Sequence, residues 1–164
     1  SLHAMTFTNA ERYAFRRATS DETRRLLLVQ NAAFMPFYRG GHSGNEGAHI
    51  DALEPLAPSA SGDEAIAEIF ADASKDRLTA ARKTLAYLKD HPDPTDFARA
   101  ARRLVFLKGR DAHDYKFSSA VLEDYERLAS PWRDRLLASS LFYLHGSGDQ
   151  DNHLVERTRS ALGA

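Results

Sequence analysis

Apolar positions along this 164-residue chain recur at three- and four-residue spacing almost throughout, the period of an amphipathic helix. Nowhere do they alternate long enough to suggest a strand. The pattern predicts a first helix over residues 2–18, with His3, Thr6, Phe7, Ala10, Ala14 and Arg17 along one side. Thr19-Ser20-Asp21-Glu22 is a start signal for a second helix, with Leu26, Leu27, Ala33, Phe34 and Phe37 inward. Pro36 should kink or end that helix near Met35. From Asp63 the helical period resumes and continues to the end. One helix turns Ala65, Ile66, Ile69 and Phe70 inward, and the next carries a stripe of Leu78, Ala81, Leu85 and Leu88. A third buries Phe97, Ala101, Leu104 and Val105 and stops at Gly109. Beyond residue 125, Ser130-Pro131 supplies a cap and a proline at the first helical position, Leu137, Leu141 and Leu144 form a seam, and a last helix runs from Asp151 to Leu162. The expected fold is all-α: a single domain of seven or eight helices spanning residues 1–164, with mostly short connections and antiparallel neighbours.

The period breaks at Arg39–Gly62, which is rich in glycine, serine and proline. A connection of that length is expected to be a lid or a linker. Ile50, Leu53 and Leu56 should dock its second half on the body. His42, Glu46 and His49 within it are candidate metal ligands by residue type, although their spacing fits no standard zinc pattern.

The stretch with the most candidate chemistry is Asp111–Tyr125, DAHDYKFSSAVLEDY. Asp111 is suited to cap a helix and Asp114 to its positive end. At helical spacing His113, Lys116, Phe117, Ala120, Val121 and Asp124 share one face, so a histidine and a lysine are expected at the head of a buried side. Burying an ammonium is costly unless it is paired, which makes Lys116 either a snorkelling surface residue or part of a site.

Composition narrows the function without choosing it. The apolar fraction of 43% is enough for a core, and a net charge of −1 argues against nucleic acid held by charge alone. The arginine pairs Arg16–Arg17, Arg24–Arg25 and Arg102–Arg103 are local exceptions that suit solvated faces or a protein partner. With no cysteine there is no disulfide, thiolate metal site or cysteine nucleophile, which leans towards the cytoplasm. No run is long and apolar enough to predict a membrane span. The opening SLHAMTF has two readings: Met5 as the native start, or a chain cut from a longer protein.

Phosphate-binding glycine loops, dinucleotide fingerprints, nucleophile elbows, HExxH and paired Glu-x-x-His motifs are all absent. HGSGDQDNH (145–153) has the composition of a calcium loop without its ligand order, and reads as a helix stop, a turn and a helix start. What remains is LHAMT (2–6) and DAHDYK (111–116), each with a histidine followed three residues later by a polar partner, Thr6 and Lys116. In this order the two resemble the C-terminal half of the questin oxidase-like family. That half has a helix opening with histidine, two variable residues and threonine, and later a D-x-H-x-x-K-like helix start. The resemblance implies an oxygenase-like helical oxidoreductase of Baeyer–Villiger type acting on aromatic polyketides. His3, Thr6, His113 and Lys116 would be its catalytic residues, with histidine as acid or base and lysine as an electrostatic partner. The N-terminal half of such a protein, with its own histidine motif, is missing from this sequence.

Three expectations follow. The first is an oxidoreductase-type domain with His3 and His113 in one His/Lys-lined pocket. The second is a non-catalytic interaction domain or subunit that meets a protein partner, or the missing half, through the arginine pairs and the 39–62 loop. The third is a helical bundle that binds a small molecule without turnover. Neither nucleic acid nor membrane is expected as a partner, and the sequence names no cofactor.

Overall fold

The computed structural model describes residues 2–38, 49–129 and 132–163, apart from the side chain of Leu2. The described residues are helical with no strand. They form α1 (Leu2–Arg17), α2 (Asp21–Phe34), α3 (Gly62–Ala73), α4 (Arg77–Asp90), α5 (Thr95–Lys108), α6 (Ala112–Tyr125), α7 (Trp132–Ser139) and α8 (His153–Leu162), with 3-10 turns at Met35–Tyr38 and Ser140–Phe142. The chain separates into two compact units, Ser1–Gly47 and Ala48–Ala164, with the division inside the long connection. The expectations for His42, Glu46 and the Ser130-Pro131 cap lie outside the described residues.

The first unit is a helical hairpin. Ser20 caps α2, its side chain accepting from the Thr23 backbone N–H at 3.1 Å. Pro36 coincides with the change from α-helix to 3-10 turn, as its missing N–H requires. Phe7 stacks on Phe34 with ring centroids 5.1 Å apart. The inward set expected for α2 is corrected here: the helix has no buried residue, Leu26 and Phe34 are exposed, and Phe37 is 78% exposed. Within a hairpin each helix has one neighbour, so the side turned away from α1 gains no cover from the unit itself.

The second unit holds the main core. Ile69, Phe97, Val121, Leu137 and Leu141 are fully enclosed there, and the expected Leu137–Leu141–Leu144 seam is buried. α4 packs against both α3 and α7. Of the predicted stripe Ala81 and Leu88 are buried; the two neighbours explain why Ala80, Thr84 and Tyr87 join them while Leu78 is left exposed and Leu85 half-buried. The Thr84 hydroxyl is satisfied by donating to Ala80 O at 2.9 Å.

The end of the long connection docks as expected, but backbone hydrogen bonds hold it as much as apolar contact does. Leu53 is buried while Ile50 is exposed. Arg135 donates to Ile50 O and Leu53 O, and Arg82 Nε donates to Glu54 O. The Glu68 carboxylate accepts from Ser59 N and Oγ and from Ala60 N. Lys83 bridges Glu68 and Asp72 beneath this strap.

Candidate functional site

Four residues carried the sequence-based site. His3 and Thr6 belong to the first unit, where Thr6 Oγ1 donates to His3 O, one turn back in α1. His113 and Lys116 belong to the second unit. Both were expected on the buried side of α6, and this is corrected: His113 has a side chain 55% exposed, with Nδ1 3.5 Å from the capping Asp111, and Lys116 is exposed.

The reason is rotational. The face α6 gives to the core is Phe117, Ser118, Val121 and Tyr125, with Ala120 and Leu122 flanking. At 100° per residue Lys116 stands about 140° from Val121, near the back of the helix. One turn before Ser118, the head of the buried face is Asp114. Asp114 is tied down by the cap. The Asp111 side chain accepts from the N–H groups of His113 and Asp114, while Asp114 Oδ2 accepts from Arg110 N at 2.7 Å.

Asp114 faces His145 in the turn between α7 and α8. His145 Nε2 lies 3.3 Å from Asp114 Oδ2 without the alignment of a hydrogen bond. Its Nδ1 is 3.1 Å from Asp149 Oδ2, which also accepts from Gly146 N. Burial pushes both carboxyl groups up. It is outweighed at Asp114 by the Arg110 N–H and His145, and at Asp149 by Ser74, the Gly146 N–H and His145, so both lie below the usual carboxylate range.

Asp149 connects this cluster to a second one. Its backbone oxygen accepts from the Lys108 ammonium, which also pairs with Asp151 at 3.0 Å, and Asp151 pairs with Arg159 of α8 at 2.7 Å. Lys108 is only 6% exposed. It continues the α5 stripe Phe97, Ala101, Val105, and its place at the last turn suits the negative end of that helix.

Lys108 forms one end of a groove of about 530 Å³ between α3 and α5. Ile66 and Phe70 of α3 face Leu104 and Leu107 of α5 across an apolar floor. Asp63 and Asp96 line it from the starts of the two helices. Burial raises the Tyr87 phenol above its usual value, and the charges of Asp96 and Asp63 add to that rise. At the other end Arg103, Lys108, Ser147, Asp151 and Arg159 close it. A smaller cleft of about 420 Å³ runs between α5 and α6 beside Phe106 and Tyr115. None of His3, Thr6, His113 and Lys116 lines either cavity.

Sequence reasoning missed Lys108 and His145; it named Arg103 only as one of an arginine pair and Asp114 only as a helix-start carboxylate. Lys108 was findable, because the three-and-four spacing that buries Val105 also buries residue 108. The i,i+4 pair His145–Asp149 was visible in a segment read as a turn. Among the described residues no group of three or more metal-ligating side chains is placed to hold a metal ion. No described helix is long and apolar enough to cross a membrane. Comparison of the chain with models of known protein families, with curated proteins and with solved structures gives no match in any of the three.

Proposed function

We propose that this chain is a helical domain that binds a small organic molecule in the groove between α3 and α5. The observation that carries the reading is the groove itself. Its volume falls in the range of ligand sites, its floor is apolar, and a buried lysine stands at one end. An apolar floor left open to water is unfavourable by roughly 25 cal/mol per Å² that a ligand could cover. The oxidation of an organic, aromatic substrate implied by the questin oxidase-like resemblance would use His113 and Lys116 outside this groove. For that reason binding is the reading preferred over turnover.

The test uses Nile red, a neutral apolar fluorophore. The wild-type chain should enhance its emission saturably. Ala100→Trp, which fills the groove from α5, should abolish the enhancement while the helical circular dichroism is kept. Equal enhancement by both proteins would refute binding in the groove.

A second reading, a protein-interaction domain, is favoured by α2, which exposes Leu26, Leu28, Val29 and Phe34. Exposed apolar side chains grouped on one helix mark contact surfaces more often than chance. Sedimentation of the chain with and without Leu26→Asp tests self-association through that helix, and identical profiles would remove this form of the reading.

A further inference from the structure

We infer that the molecule bound in the α3–α5 groove is amphipathic and anionic, with a carboxylate or phosphate head at the Arg103–Lys108 end and an apolar body along Ile66, Ala67 and Ala100. The inference rests on the groove being a binding site, as proposed above, and adds the chemistry of the occupant.

The charges around the groove are not evenly spread. At the start of the two helices Asp63 and Asp96 outnumber Arg99, and Asp96 is already paired with Arg99 at 2.8 Å. At the other end Arg103, Lys108 and Arg159 stand against one carboxylate, Asp151. The three cations less that one anion leave +2. The C-terminus of α5 offsets about half a charge. The balance stays positive by more than one unit.

Arg103 is the cation with nothing to neutralise it. Lys108 is held by Asp149 O and Asp151, and Arg159 by Asp151. Among the described residues no ion pair or hydrogen bond is formed by Arg103, although Arg99 one turn earlier has its aspartate. A guanidinium beside an apolar groove is a fork with two parallel N–H donors, matched to the two oxygens of a carboxylate or phosphate. Such a pair gains more beside a low-dielectric wall than in open water, because the surroundings screen it less.

The dimensions fit. From Asp96 to Lys108 the α5 wall runs about 18 Å, twelve residues at 1.5 Å each. A head group at Arg103 therefore leaves more than half of that length for an apolar body. The acidic far end disfavours a second negative charge there, which argues for one head and a plain tail over a dicarboxylate.

The experiment titrates the full chain by calorimetry with four probes of one chain length: decanoate, decyl phosphate, decanol and decyltrimethylammonium. The expected result is that decanoate or decyl phosphate binds at least tenfold tighter than decanol, that the ammonium binds weakest, and that high salt narrows the gap. The tighter of the two anions identifies the head group. Arg103 is exposed, so Arg103→Met keeps the fold. That variant should bring the anion to within about threefold of decanol and leave decanol unchanged, the loss expected when one charge-assisted contact is removed. Equal binding of anion and alcohol, or an anion preference that survives Arg103→Met, overturns the inference and leaves the groove standing. No binding of any probe, or binding unaltered by Ala100→Trp, overturns the groove and the inference together.

Discussion

Asp114 and His145 meet at 3.3 Å across the junction of α6 with the α7–α8 turn, and Asp149 holds the other nitrogen of the same ring. This arrangement ties the start of α6 to the turn that carries Lys108's acceptor, Asp149 O. One histidine thus sits between two partly buried carboxylates, its own side chain 20% exposed.

The first prediction is the acid limb of stability. Both aspartates titrate below their ordinary value of 3.8 in the folded chain. A depressed carboxyl contributes stability that is present above the unfolded value and lost as pH falls through the folded one. The urea midpoint should therefore drop as pH is lowered below about 4. Asp114→Ala, which removes the acceptor of the Arg110 N–H and the carboxylate facing His145, should shallow that drop and cost about 1–3 kcal/mol at pH 7. A midpoint that is flat from pH 5 to pH 2 would contradict it.

Glu68 provides a second pH signature in the same direction and in a wider window. The Lys83 ammonium and then the Ser59 hydroxyl hold its carboxyl at about 2, against an ordinary 4.5. Its contribution is full above 4.5 and disappears between 4.5 and 2. Because Glu68 fastens Ser59 and Ala60, loss of its charge should loosen the strap before the core. Amide protection factors, taken relative to the intrinsic rate at each pH, should fall at Ser59 and Ala60 on acidification before that at Ile69 does. A simultaneous fall at all three would mean that the strap has no separate opening.

Gly146 is required by space and not by backbone angle. A Cβ there would overlap Ser74 N and Oγ and sit 2.8 Å from Phe70 O at the end of α3. Gly146→Ala should destabilise by about 1–3 kcal/mol, the usual cost of overpacking, and should weaken the Ser147 N to Phe70 O hydrogen bond. A melting temperature equal to wild type would show that α3 can yield at this point.

Leu141 is fully enclosed. Leu141→Ala should cost roughly 2–5 kcal/mol by the lost transfer energy and the cavity left behind. Lys116→Met is the matched surface control: with the side chain exposed, stability should change by no more than about 0.5 kcal/mol. A larger loss at Lys116 than at Leu141 in chemical denaturation would reverse the assignment of inside and outside along these helices.

The sequence by itself determined the helical elements. The period of its apolar residues, the caps at Ser20 and Asp111, the stop at Gly109 and the break at Pro36 are local effects that act within one or two turns, so each could be read from neighbours along the chain. The seam Leu137–Leu141–Leu144 was equally legible, because a strongly apolar stripe has one way to face. Which side of a mixed helix faces inward was decided only by tertiary structure. On α6 the expected and observed faces share Phe117, Ala120 and Val121, and a rotation of about a quarter-turn towards Asp114, Ser118 and Tyr125 carries His113 and Lys116 out of the core. On α4 two neighbours moved the buried side away from Leu78. The groove was beyond the sequence for the same reason. Its walls come from α3 and α5, its basic end from α5, α8 and the turn before α8, and side chains up to 96 positions apart, Asp63 and Arg159, meet on it only once the helices have packed.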